Sequence, residues 1–304
     1  MSPCHVAFAA ALVAVGSFQS PLFSQQTASA REKRAALISE LTGTASLQEH
    51  ASAAPSPIER FALLPEGSIL RVGRDSRAVV VLSRGKRFAL RAKAHATVHA
   101  DRLTAASGSI EELPTLPALP PLVALEAHAP KALGGVRLRS STIVGLHPSG
   151  SAVLARVTLR FTQVPGAATY RVEIEDENGR VIFGVQTTSP AVQVPSEILE
   201  AGAAYYWTVR TIDRPGAQAQ GSAEFRTLRT EEARAREDLK RRLHEEGDAS
   251  SVALLAAIDR HLGLHHESLE GFRAALARSP DDEALKEAVR QLEDMLKTNE
   301  GERQ

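Results

Sequence analysis

Ten histidines and one cysteine are the side chains of this chain best suited to holding a metal or moving a proton at neutral pH. His95, His99 and Asp101 fall on alternate positions of an extended segment. On a strand they share one face, but same-face neighbours stand about 6.6 Å apart, so His95 and His99 do not reach one ion without a bend. The simpler expectation is a row of solvent-facing strand residues. His261 and His265 have the i, i+4 spacing of helical zinc sites, with His266 beside them. Gly263 breaks the helix between them, and no acid follows His261 in the metalloprotease pattern. They are expected at the surface of a turn. The largest charged pattern is basic: Arg71, Arg74, Arg77, Arg84, Lys86, Arg87, Arg91 and Lys93, interrupted by Asp75 alone. Alternation puts Arg87, Arg91 and Lys93 opposite Phe88 and Leu90, a candidate face for an anionic partner such as an envelope glycan or lipid headgroups. The other reading is the solvated side of a half-buried sheet, charged to discourage edge pairing. No nucleophile–base pair, phosphate-cradling glycine loop or carboxylate pair stands out, so no catalytic, cofactor or metal residue is assigned and an enzyme is not expected.

The elements that must carry these residues change period along the chain. Ser68–Val72, Ala78–Leu82, Arg87–Arg91 and Ala96–His99 are short β-branched runs parted by Gly-containing turns, the pattern of an antiparallel meander, with a hairpin at Arg84-Gly85-Lys86. Pro114, Pro117, Pro120, Pro121 and Pro130 then stiffen a Leu- and Ala-rich spacer. Strands resume at Val157–Phe161, Tyr170–Ile174, Val181–Val185, Val192–Val194, Tyr205–Thr211 and Ala223–Leu228. Their turns include Glu177-Asn178-Gly179 and Pro215-Gly216. All three tyrosines and the one tryptophan lie between 170 and 207, in a chain that is only 4% aromatic. Such crowding marks one compact core, with Phe161, Tyr170, Tyr205 and Trp207 inside it. Tyr205, Trp207 and Val209 share the inward face. Beyond Thr230 the period turns helical, over 231–246, 251–262, 266–278 and 283–297. Ser279-Pro280-Asp281-Asp282 reads as a helix start with Ser279 as cap and Pro280 at the first position.

Its 304 residues suffice for two or three domains. The formal charge of zero conceals a basic front (13 Lys+Arg against 9 Asp+Glu over 31–113) and an acidic tail (12 against 18 over 231–304). Val6–Phe18 is apolar and Ala28-Ser29-Ala30 suits signal peptidase, so residues 1–30 are read as a cleaved leader, with a retained N-terminal anchor as the alternative. Cys4 lies within it, leaving the mature chain without a thiol and without disulfides. No other stretch is long and apolar enough to span a bilayer.

Three resemblances follow from these residues. Phe161, Val164-Pro165-Gly166-Ala167, Tyr170-Arg171-Val172, and Leu199 with Gly202 ahead of Tyr205-Tyr206-Trp207-Thr208-Val209 resemble a fibronectin type III-like sandwich over about 159–228. The resemblance implies that Tyr205 bonds back to the preceding corner. Leu255, Gly263, Phe272, Ala275 and Pro280 look like a tetratricopeptide repeat over 250–282, departing from it at Asp259, where an aromatic is expected, and at Ser268, where alanine is. Leu64–Gly67, Leu70–Gly73, Ala78–Leu82, Gly85 and Phe88-Ala89-Leu90 resemble the periplasmic FecR-type β domain over about 38–110. The implied fold is mainly β and multidomain. It comprises a leader (1–30), an N-terminal antiparallel β meander or roll (31–113), a Pro-rich linker (114–135), a central fibronectin type III-like β-sandwich (136–229) and C-terminal α-helical hairpins (230–304). This order resembles exported bacterial proteins, periplasmic or extracellular. The expected role is an envelope scaffold that binds protein partners or an anionic polymer, with no nucleic acid and no cofactor. A FecR-like sensor or regulator component and an envelope glycan hydrolase are the alternatives.

Overall fold

The computed structural model describes residues 34–50, 52–121, 143–154, 156–213 and 219–301. The leader with Cys4, Pro130 and the Pro215-Gly216 turn lie outside the described residues. All that follows concerns the described residues of one compact unit, Lys33–Gln304. It is mainly β, with four helices at its C-terminal end.

Ten strands make the first half: β1 (Arg34–Thr42), β2 (Ala45–Gln48), β3 (Ser56–Ile58), β4 (Leu63–Pro65), β5 (Ile69–Val72), β6 (Arg77–Leu82), β7 (Arg87–Leu90), β8 (His95–Val98), β9 (Leu103–Ser107) and β10 (Ile110–Leu113). They pair antiparallel in two five-stranded sheets, ordered β10-β7-β6-β1-β4 and β3-β2-β5-β8-β9. Ile38, Val80, Leu82 and Leu90 of the first sheet face Leu47, Leu70 and Val98 of the second in one core. Alternation sends Leu37 and Val81 to the far side of the first sheet, yet both are 0% exposed. The apolar run Ala78–Leu82 has this cause: its strand is covered on both faces, as continuous apolar strands generally are.

Residues 114–121 lie on that sheet as a strap. The Leu116 and Leu119 amides donate to the Gly85 and Ser83 carbonyls, each at 2.9 Å. Gly85 sits at φ +83°, and a Cβ there would collide with the Leu116 and Pro117 carbonyl oxygens. The hairpin tip is thus glycine both for its turn and for the strap crossing it.

Seven further strands form the central sandwich: β11 (Ser151–Val153), β12 (Val157–Arg160), β13 (Tyr170–Asp176), β14 (Val181–Thr187), β15 (Ala191–Val194), β16 (Ala204–Thr211) and β17 (Gln220–Thr227). One sheet runs β11-β17-β16-β13-β14, and β12 pairs with β15 in the other. Trp207 and Tyr170 are fully buried, Tyr205 and Phe161 nearly so. Their rings pack in tilted pairs, Phe161–Tyr170 at 4.8 Å and Tyr205–Phe225 at 5.4 Å between centroids. Each polar tip is satisfied. Trp207 Nε1 donates to the Pro148 carbonyl (2.9 Å), the Tyr205 hydroxyl accepts from the Glu200 amide (2.6 Å), and the Tyr170 hydroxyl accepts from the Val164 amide (2.9 Å).

The helices are α1 (Thr230–Glu246), α2 (Ala249–Leu262), α3 (His265–Arg278) and α4 (Glu283–Gly301). Gly247 (φ 68°) and Gly263 (φ 79°) close α1 and α2 in the left-handed conformation. One sequence expectation is corrected at the last start. Ser279 closes α3, and Asp282 caps α4, its carboxylate accepting from the Ala284 and Leu285 amides at 3.1 and 3.2 Å. Pro280 has no N–H to continue α3 and falls in the turn between the helices. The α2–α3 pair packs closely: Gly271 lies against Ala256, and the Ser268 hydroxyl donates to the Ala256 carbonyl at 2.7 Å. Serine at that position is therefore small enough and has its hydroxyl bonded.

Candidate functional site

The helices do not stand apart from the β modules. Leu239, Leu254, Phe272 and Leu292 share one apolar core with Leu37 and Val81 of the first sheet, Leu116 and Leu119 of the strap, and Ala152 and Leu228 of the sandwich. Phe61, in the turn before β4 at φ 70°, sets its ring 5.0 Å from that of Phe272. Arg60 beside it donates to the Ser39 carbonyl (2.8 Å) and to Asp282 (2.7 Å), and its guanidinium lies 4.5 Å from the Phe61 ring centre. This lock ties β1, the Phe61 turn and the start of α4 together.

The three histidines of the α2–α3 turn lie in the joint between modules, which corrects their expected surface placement. His261 Nε2 stands 3.0 Å from the Phe61 carbonyl. His265 is half-buried, and its Nδ1 is shielded with no hydrogen-bond partner among the described residues. His266 meets His147 of the sandwich edge-on, ring centres 3.8 Å apart. Burial foremost, then the neighbouring His266 and Arg160, pushes His147 down to about 4. Burial foremost, then Arg260 and His266, does the same for His265, also to about 4. Both imidazoles are thus neutral at pH 7. A cavity of about 60 Å³ opens beside the pair, walled by Pro148, Arg156, Thr158 and Glu267. It is far smaller than the roughly 300 Å³ and more of small-molecule sites. Among the described residues no three His, Cys, Asp or Glu side chains converge as metal ligands, the His95–Asp101 segment included. Its β8 strand ends at Val98, so His99 and Asp101 leave the extended line.

Charged groups seal the same joint. Arg226 of β17 donates to the Leu262 carbonyl (2.7 Å) and pairs with Glu232 (3.4 Å), which also takes the Arg229 amide (2.9 Å) and guanidinium (2.8 Å). Burial opposes the Glu232 charge, but the hydrogen bonds from Arg229 and the nearby Arg226 outweigh it and hold the carboxyl below its usual range. Deeper in, Arg236 grips Asp259 through two bonds of 2.6 and 2.8 Å. Asp259, where the repeat pattern expects an aromatic, is 2% exposed, and burial keeps its carboxyl above the usual range.

The basic residues are dispersed, which corrects the single face expected for Arg87, Arg91 and Lys93. Strand β7 ends at Leu90, so the alternation stops there. Arg87 Nε donates to the Pro114 carbonyl (2.7 Å), and its Nη atoms reach Glu246 of α1 at 3.4 Å. Arg91 pairs in the open with Glu111 (2.8 Å), and Lys93 occupies a turn at φ 62°. The first is a clamp between elements, the second a surface pair, the third a turn residue. A depression of about 450 Å³ lies instead on the outer face of the second sheet beside Arg71. Arg71 belongs to the basic run of the sequence but not to the face expected of Arg87, Arg91 and Lys93.

No family model matches the chain, and no curated protein matches it. Among solved structures it is similar to CopC from Methylosinus trichosporium OB3b, at 21% identity over 30% of this chain and 95% of that chain, with a TM-score of 0.22. It is also similar to the FN1–FN3 domains of chicken CNTN1, at 13% identity over 65% of this chain and 63% of that chain, TM-score 0.22. The β-1,2-glucanase of Parabacteroides distasonis matches at 12% identity over 81% of this chain and 39% of that chain, TM-score 0.23. Among the described residues no helix is long and apolar enough to cross a membrane.

Proposed function

We propose that this protein is an exported envelope scaffold that binds partners on a rigid frame and performs no chemistry of its own. The observation that carries the reading is the shared core: helices, strap, first sheet and sandwich are joined through Phe61, Leu116, Leu228 and Phe272. A frame joined in this way holds its outward faces at fixed spacing, which is what an assembly platform needs. Helix α4 supports the same reading. Its outer side carries ion pairs between Lys286 and Glu283, Arg290 and Glu287, and Lys297 and Asp294, so it ends the helical stack as a polar cap. Export follows from the leader pattern.

The test is fractionation followed by crosslinking in intact cells. The reading expects leader-cleaved protein in the envelope or medium and reproducible crosslinks to one or a few proteins. Full-length protein confined to the cytosol, or a purified protein that turns over glycan or peptide substrates, would reject it. Removing the helices is a poor way to look for partners, because it would bare Leu37 and Val81. Surface substitutions are the suitable tool.

A further inference from the structure

Cross-strand register builds a trough on the outer face of the second sheet. Pro57, Ser46, Arg71 and His95 stand side by side on β3, β2, β5 and β8. Their neighbours in sequence, Leu47, Leu70 and Ala96, point into the core, so this row points outward. Ser46 is the low point between Pro57 and Arg71, two strand spacings or about 10 Å apart. Thr44 and Gly73 continue the low floor, and Gly73 is held without a side chain because a Cβ would strike the Thr44 hydroxyl. Pro55 and Pro57 form one wall and Arg71 the other.

We propose that this trough binds an extended acidic peptide, with Arg71 taking an Asp or Glu carboxylate. The inference rests on the reading of the protein as a partner-binding scaffold and names the chemistry of one partner. Charge complementarity is the argument. No acidic residue lines the trough. Arg71 makes no ion pair among the described residues; its Nη2 donates to Gln48 Oε1 at 2.7 Å, and its Nε is shielded from water without an acceptor. An arginine held by one neutral amide, with a donor unused, gains two charge-assisted bonds when its Nε edge turns to a carboxylate. Exposed Arg74 and Asp75 follow Gly73 and offset each other, and exposed Lys93 donates its amide to the Gly73 carbonyl, so one net positive charge stands at that end. The width suits one extended chain, and the prolines offer it flat aliphatic walls. No aromatic ring lines the floor for a sugar to stack on, which favours peptide over glycan. Pro57 has no N–H to offer, so the partner lies across the face and does not add to the β3 edge.

The experiment is fluorescence anisotropy with a labelled hexaglutamate peptide, a hexalysine peptide and an oligogalacturonate of matched charge, using the full mature chain. Hexaglutamate is expected to bind, hexalysine not, and salt to weaken the complex. Arg71→Gln should weaken it roughly tenfold or more. Ser46→Phe, which fills the floor and leaves Arg71 in place, should weaken it comparably, while Arg91→Gln should change it by less than about twofold. Circular dichroism confirms that each variant is folded, and Ser46→Phe decides the matter if Arg71→Gln is not. Equal loss in Arg71→Gln and Arg91→Gln, or no binding at all, overturns the site. Arg71-dependent binding of oligogalacturonate tighter than that of hexaglutamate overturns the peptide assignment. If crosslinks in cells survive Arg71→Gln unchanged, this site fails while the scaffold reading stands.

Discussion

The two β modules meet the helices through different chemistry. The first sheet offers a broad face, with Leu37, Val81, the strap leucines and the Phe61 plug buried against Leu254 and Phe272. The sandwich offers an end, where Arg226 meets Glu232 and His147 meets His266 beside Ala152 and Leu228. Contact of the first kind is non-directional and stabilises by area removed from water. Contact of the second kind fixes angle and register, because each bond has one geometry, and it depends on protonation and salt. The apolar seam therefore supplies strength and the polar joint supplies orientation.

The contrast breaks most visibly at Phe61. Phe61→Ala empties the space against Phe272 and should cost about 3–5 kcal/mol. Urea unfolding should show that loss equally at pH 7.5 and pH 5.5, and a loss confined to one pH would contradict an apolar seam. Arg226→Met takes the Arg226 donor from the Leu262 carbonyl and leaves Glu232 with Arg229 alone, for an expected cost of about 2 kcal/mol. That deficit should shrink in high salt, whereas the Phe61→Ala deficit should not.

Mild acid should then act on the joint. His147 and His265 are held near 4 in the fold against 6.5 when exposed. Between those values the unfolded chain binds protons that the folded chain refuses, so the stability these two histidines contribute is complete above about 6.5 and is lost as pH falls through 4. Discounted for their partial exposure, each contributes on the order of 1–2 kcal/mol. The His147→Gln/His265→Gln double variant should flatten that slope; a slope left intact would place the sensitivity elsewhere. Smallest of all is Arg91→Gln. Its pair with Glu111 is exposed on both sides, and thermal unfolding should move by the equivalent of about 0.5 kcal/mol or less.

Where the sequence could be read, the reason was local. Asn178-Gly179 with alternating neighbours announces the β13–β14 hairpin, and Gly247 and Gly263 mark helix ends by a conformation other residues resist. The aromatic crowding at 161–207 announces the sandwich core because so few other large rings exist in the chain to build one. The run Val79-Val80-Val81 also held a signal that went unused: three apolar residues in succession cannot all face one core, so a second layer had to cover the strand. The histidine joint was not legible, since His147 and His266 come from separate modules and no spacing rule connects them. Nor was the trough, which exists only through the register that sets Pro57, Ser46 and Arg71 in line. The basic run misled for the opposite reason: alternation was extended past Leu90, where the strand had stopped.

The lock between Phe61 and His261 joins residues 200 positions apart in the chain. A ribosome adding roughly 5–20 residues per second emits the first strands some 10–40 s before their covering arrives. During that interval the far side of the early sheet has nothing to sit against, and an export channel that threads the chain unfolded would hand over the same predicament on the other side of the membrane. Assembly of this molecule is therefore gated by helices made after the strands they cover, and a chain truncated before α2 should be sticky in proportion to what it leaves uncovered.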